Sequence, residues 1–330
     1  MKNITVLTVL VITFLIFAGF YPAYSEESPP VPSDEALEIQ SETLPEKGYT
    51  LLIGTFVGFV TGEAYELVYP MPGYNGAKYL SELIWDMRQV FYLGLGFELN
   101  PKNPMNYPGF FVSGAFRAGL PGDSGFMRNR DWLSSENDKL TDFSRHINRT
   151  NEFFWADAAV GVSLPIKPYF YTRQYISGSW MRFSFMGRDG YGEYVIHKSI
   201  KFIGDSIEYE QNWLLIALGF SLGTRILYPF IFDLSLQLSP LAYCAARDHH
   251  LLRDTVFLDY TYFGFYVEPL ISVSYVNKLI FTLEIAYRYI SDTKGDTYMN
   301  EKNSDWLLAG NKSGAGLSLF DLRLLVKVQL

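Results

Sequence analysis

Two short stretches carry the side chains best suited to chemistry. In Ala245-Ala246-Arg247-Asp248-His249-His250, Asp248 and His250 lie two residues apart. On an extended chain both therefore leave the same face. A carboxylate beside an imidazole orients the ring and makes it a better base. Far upstream, Asn129-Arg130-Asp131-Trp132 repeats that spacing. If the two stretches face each other, they can hold a water and remove its proton. An isolated Asp-x-His is more often an ordinary polar loop, so the reading depends on what positions it. Other chemistries find less support. No pair among His146, His197, His249 and His250 has zinc-site spacing. No glycine-rich phosphate loop follows a strand, there is no nucleophile elbow, and strand serines such as Ser184 have no local signature. The single Cys244 excludes an internal disulfide. Its place beside the Asp248 stretch suits a small strand residue better than a nucleophile.

What could bring positions 129 and 248 together is suggested by composition. Aromatic residues make up 17% of the 330, with 24 Tyr and 26 Phe, while charged residues make up only 19%. That mixture is too apolar for a typical soluble β protein and too even for a helical membrane protein. It suits strands with one face in lipid and one in a lumen. The net charge of −8 argues against nucleic-acid partners and is compatible with basic substrates.

Period-two alternation carries the pattern from Gly48 onward. Leu322, Leu324, Val326, Val328 and Leu330 alternate with Asp321, Arg323, Leu325, Lys327 and Gln329. Phe232, Leu234, Leu236 and Leu238 alternate with Asp233, Ser235, Gln237 and Ser239. The small or polar face reads as a packed, partly wet barrel interior, and the large apolar face as lipid contact. Ten strands are predicted near 48–69, 77–100, 107–121, 152–166, 168–188, 207–225, 230–247, 255–276, 279–298 and 314–330. Short turns near Asn103-Pro104, Pro168, Tyr228-Pro229 and Asn277-Lys278 alternate with longer loops at 70–76, 122–151, 189–206, 248–254 and 299–313. The loops at 122 and 248 fall on the same, long-loop side. The fold class is thus all-β, a ten-stranded antiparallel transmembrane β-barrel. Strands near 20 residues exceed the 9–11 or so that cross hydrocarbon, so the barrel should project above the membrane. Packed Leu215, Ile290 and Leu325 argue against an open channel.

The first residues read differently. Lys2, the apolar run Ile4–Phe20 and Pro22-Ala23-Tyr24-Ser25 read as a signal peptide over 1–25, cleaved near Ser25, with an uncleaved anchor as the alternative. Residues 26–47, rich in Pro, Glu and Ser, read as a disordered leader before a barrel domain of 48–330.

Several motifs, in order, resemble the omptin family of outer-membrane proteases. Asp131-Trp132 leads into Thr141-Asp142-Phe143-Ser144-Arg145-His146 and Asn151-Glu152-Phe153. Asp248-His249-His250 is similar to that family's Asp-x-His. Arg182-Phe183-Ser184-Phe185 with Arg188-Asp189-Gly190, Thr293-Lys294-Gly295-Asp296-Thr297, Lys312-Ser313-Gly314-Ala315-Gly316 and Glu66-Leu67-Val68-Tyr69 complete the set. The resemblance implies a monomeric endopeptidase in outer-membrane lipid, its site at the extracellular mouth, with peptide or protein substrates and no cofactor or metal. Asp248 would orient His250 as general base, and Asp131 with Asn129 would hold the attacking water. The family has two acids at that facing pair, and Asn129 brings no charge. For substrate binding, Glu66 matches one of two specificity carboxylates and Ala246 stands at the second, which implies weaker basic preference. Arg130 and Arg247, beside the site, would oppose a cationic substrate. Of the family's wall site for lipopolysaccharide, Arg182 matches, whereas Gly178, Trp180, Asn212 and Leu258 do not. The alternative is a catalytically impaired barrel acting as an adhesin or binding protein.

Overall fold

A computed structural model describes residues 48–70, 77–134, 138–167, 169–194, 199–225, 227–302 and 304–330. The expected signal peptide over 1–25, the expected leader over 26–47 and His197 lie outside the described residues. The elements are β1 (Tyr49–Val68), β2 (Ser81–Pro101), β3 (Gly109–Gly119), β4 (Gly122–Asp131), β5 (Asp142–Lys167), β6 (Phe170–Tyr194), β7 (Ile200–Thr224), β8 (Phe230–His250), β9 (Thr255–Val276), β10 (Leu279–Ile290), β11 (Lys294–Glu301) and β12 (Leu307–Gln329). All pairings are antiparallel, and β1 pairs with both β2 and β12, which closes the ring. Both β3 and β4 lie between β2 and β5, and both β10 and β11 between β9 and β12. Each such couple is one interrupted stave, so the twelve strands make ten staves. Among the described residues closure gives every strand a neighbour on both sides, as a lipid environment demands.

The staves are longer than alternation of apolar residues predicts. The expected loop at 122–151 is mostly strand: β4 continues through Asp131 and β5 begins at Asp142. Likewise β8 runs on through His250. Above the lipid belt both faces of a stave meet polar surroundings, so the hydrophobic signal ends while the hydrogen-bonded ladder goes on. Below, the belt is plain. Leu93, Leu95, Phe110, Val160, Ile176, Leu218, Phe265 and Leu283 are exposed on the outer wall. No helix among the described residues is long and apolar enough to cross a membrane.

The lumen is layered. Nearest the short turns, a cavity of about 770 Å³ is lined by Glu98, Arg173, Asp233, Lys327 and other polar side chains. Ion pairs that join Arg117 to Asp157, Arg288 to Glu268, and Arg323 to Glu284 and Asp321 also line it. An apolar plug follows. Trp85 stacks between Phe185 at 5.7 Å and Tyr209 at 5.4 Å, and Phe153, Phe183, Met87, Met127, Met181 and Trp213 are fully buried around it. The candidate residues stand on top of this plug.

Candidate active site

Parity places the site. In β8, Cys244, Ala246 and Asp248 are buried toward the lumen, and His250 follows at the lip. Arg247 and His249 alternate to the outer face. There Arg247 pairs with Glu208 at 3.1 Å, and His249 lies near Arg247 at 3.4 Å and Asp254 at 3.5 Å. The imidazole facing the mouth is therefore that of His250. Arg130 likewise turns outward to Glu82 at 3.2 Å. The expectation that Arg130 and Arg247 oppose a cation inside the site is corrected by this alternation: both are neutralised on the outer wall.

His250 Nε2 lies 2.7 Å from Asp248 Oδ2. A neutral His250 that donates Nε2–H to Asp248 keeps its lone pair on Nδ1, where a base needs it. The edge of the Phe257 ring packs on the imidazole, centroids 5.7 Å apart. Asp248 itself is 2% exposed, and its Oδ1 has no partner.

On the facing lip, β4 delivers Asn129 and Asp131. A break and a bulge set their parity. Arg117 of β3 points inward, the chain crosses over near Pro121, and Ser124 is the buried residue at the start of β4. The β-bulge between Asp123 and Gly125 then restores the odd residues to the lumen, so Met127, Asn129 and Asp131 share the inner face. Asn129 Nδ2 donates to Asp131 Oδ2 at 2.9 Å, and Ser81 Oγ donates to Asn129 Oδ1 at 3.1 Å. Burial holds the Asp131 carboxyl above its usual range and the neighbouring Asp142 adds to that, while bonds from Ser81 and Asn129 and the charge of His250 act against it. The influence of His250 on Asp131 ties the two lips electrostatically. Their staves are four places apart in a ring of ten, nearly opposite each other.

Glu66 and Ala246 lie beneath, 4% and 6% exposed. Burial, aided by the charges of Asp248 and Asp259, pushes the Glu66 carboxyl well up. Two site residues escaped the sequence reading. Asp259 is the β9 partner of Ala246, buried, with its carboxyl pushed up to about 7 by desolvation. Asp142 is the β5 partner of Asp131. For Asp259 parity was the available signal, since Phe257, Asp259 and Thr261 alternate with Leu258 and Tyr260; Asp142 had none. His146 stands apart, its ring tilted against Phe202 with centroids 4.8 Å apart, and burial pushes it down to about 4. On the outer wall Arg182 is held by Glu152 at 2.7 Å and Glu210 at 3.3 Å.

A profile of the omptin family matches residues 47–329. The plasminogen activator of Yersinia pestis is 24% identical over 283 residues, spanning 81% of this chain and 84% of that protein. The crystal structure of outer membrane protease OmpT from Escherichia coli resembles the barrel with a TM-score of 0.76 at 18% identity, covering 87% of this chain and 98% of that one.

Proposed function

The chain belongs to the omptin family, and from that premise we propose that it cleaves peptide bonds with a water activated by His250. The barrel is an outer-membrane protease scaffold with its mouth outside the cell. In the proposed reaction, a water between the lips donates one hydrogen bond to Asp131 and one to His250 Nδ1. Nδ1 takes that proton as the water oxygen attacks the scissile carbonyl carbon. Asp248 stabilises the resulting imidazolium through Nε2–H. Collapse of the tetrahedral intermediate breaks the C–N bond, and the imidazolium returns its proton to the leaving amine. Asn129 positions Asp131, while Glu66 and Ala246 floor the pocket for the side chain beside the scissile bond. With an alanine at that floor, basic preference is weaker than two carboxylates would give. The single observation that carries the reading is the 2.7 Å Asp248–His250 pair on one lip, four staves from Asp131 on the other. We read the protein as a monomer surrounded by outer-membrane lipid.

Refolded protein and its His250→Ala variant, incubated with a peptide library, test the base. Cleavage should fall by roughly 10²- to 10⁴-fold in the variant. Equal cleavage by both would remove His250 from the mechanism. A second reading, a barrel that binds without cutting, is favoured by one observation: the Asn129 amide is spent on Asp131. Binding of peptides with no products from wild type would select it.

A further inference from the structure

Three carboxyl groups share one dry pocket under the mouth: Glu66 of β1, Asp248 of β8 and Asp259 of β9, each 6% exposed or less. Among the described residues no Lys or Arg is paired with any of them, and the one ion-pair partner is His250 on Asp248. Three buried negative charges without a cation are not tenable, so protons must be retained. Where they sit follows from the partners. Asp248 Oδ2 is already taken by His250 Nε2, 2.7 Å away. Thr297 and Ser313 hydroxyls support the ionised form of Asp259. For Glu66 the candidate donor is the Trp85 indole N–H, which itself makes no hydrogen bond. From the elements packed against it, Glu66 meets Trp85 of β2, Tyr209 of β7, Asp248 and Asp259, while Ala246 and Ala315 bring no charge. Glu66 Oε2, Asp248 Oδ1 and Asp259 Oδ1 are all buried without a partner, and of the two aspartates it is Asp248 that lies within hydrogen-bonding reach of Glu66. Two orphan acceptors side by side are satisfied by a single proton between them.

We propose that Glu66 is a neutral acid that donates its O–H to Asp248 Oδ1 and so acts as the positioning residue of the Asp248–His250 pair. This rests on the hydrolytic reading above and deepens it. Asp248 is then held at both oxygens, which fixes the plane in which it orients His250. The pocket floor consequently presents no free carboxylate from Glu66 to a basic side chain. Substitution should therefore affect turnover before it affects substrate affinity.

The test compares Glu66→Gln and Glu66→Ala, refolded in lipid, with a quenched-fluorescence peptide chosen from the wild type's own library products. Gln keeps an N–H donor, so kcat should stay within about threefold of wild type, whereas Ala should lose about tenfold or more, part of the general-base contribution. In Ala the loss should fall more on kcat than on KM, which shifts as well because Glu66 floors the substrate pocket. Infrared difference spectra at pH 7 supply a readout independent of activity: one component of the buried protonated-carboxyl C=O band should be lost in Glu66→Gln and kept in Asp259→Asn, while the component from Asp259, pushed up to about 7, should be lost only in the latter. Should Glu66→Ala not fold, the Gln variant and the band decide. No Glu66-dependent band, or a Gln variant as slow as Ala, overturns the proposal. His250→Ala separates the two levels. If it is inactive while Glu66→Gln is slow, only the positioning role is lost; if it still cleaves, the base itself is wrong.

Discussion

An amide at position 129 changes what Asp131 can do. Asn129 donates to Asp131 and is itself held by Ser81, so the acid is braced but has an amide, not a second acid, beside it on the inner face of β4. Asn129→Asp replaces a donor with an acceptor and sets two like charges side by side. One of the bonds that lower the Asp131 carboxyl is lost, and repulsion raises it further, beyond what burial already does. The ionised, water-holding form is then lost at a higher pH as pH falls. We expect faster turnover on the alkaline side of the profile and an acid limb displaced upward in pH. Steady-state rates across pH measure both, and an unchanged profile would count against water-holding by this pair. The acid and the imidazole at 248 and 250 were legible from spacing alone. Which of the two adjacent histidines faces the mouth was also readable, since parity puts His249 with Arg247 outside. Asp259 was harder, because its neighbours in sequence are apolar and aromatic and only its cross-strand partner, Ala246, gives it a role.

Strand ends, more than strand centres, decide whether these residues meet. The ten-stave ring was legible because the lipid belt imposes alternation. The top of β5 was not, since Asp142, Ser144, Arg145, His146, Asn148 and Arg149 offer no apolar face to read. Nor does sequence announce the bulge that sends Asn129 and Asp131 inward. Its centre is Gly125, at φ 113, where an added Cβ would lie 2.7 Å from the Asp86 Cβ. Asp86 also receives the N–H of Phe126 at 3.1 Å and the guanidinium of Arg128 at 2.6 Å, so it has little freedom to withdraw. Gly125→Ala should therefore destabilise the barrel by about 1–3 kcal/mol, through a backbone region that side chains rarely adopt. A slip of one residue here would turn Asn129 and Asp131 to the outer wall. Urea unfolding in lipid vesicles reads the first effect, and peptide cleavage by the folded fraction reads the second. A variant as stable and as active as wild type would mean that the bulge does not set the site.

Across the whole molecule, two environments act on one continuous set of staves. The lower half meets lipid outside and encloses ion pairs and a polar cavity. The upper half meets water and carries the acids and the imidazole above a plug of Trp85, Tyr209, Phe185 and Trp213. That plug separates the mouth from the cavity below, so the fold serves as a raised platform and not as a channel. If this division is right, equal exposure should not mean equal tolerance. Leu95 on the outer wall is 65% exposed and Leu133 at the mouth is 61% exposed. Leu95→Arg moves a charge into hydrocarbon and should cost about 2–4 kcal/mol near the midplane. Leu133→Arg only adds a solvated charge and should stay within about 0.5 kcal/mol of wild type. Folding equilibria in vesicles give both numbers on one scale. Equal penalties would move the membrane boundary up to the lips themselves, and with it the water on which the proposed cleavage depends.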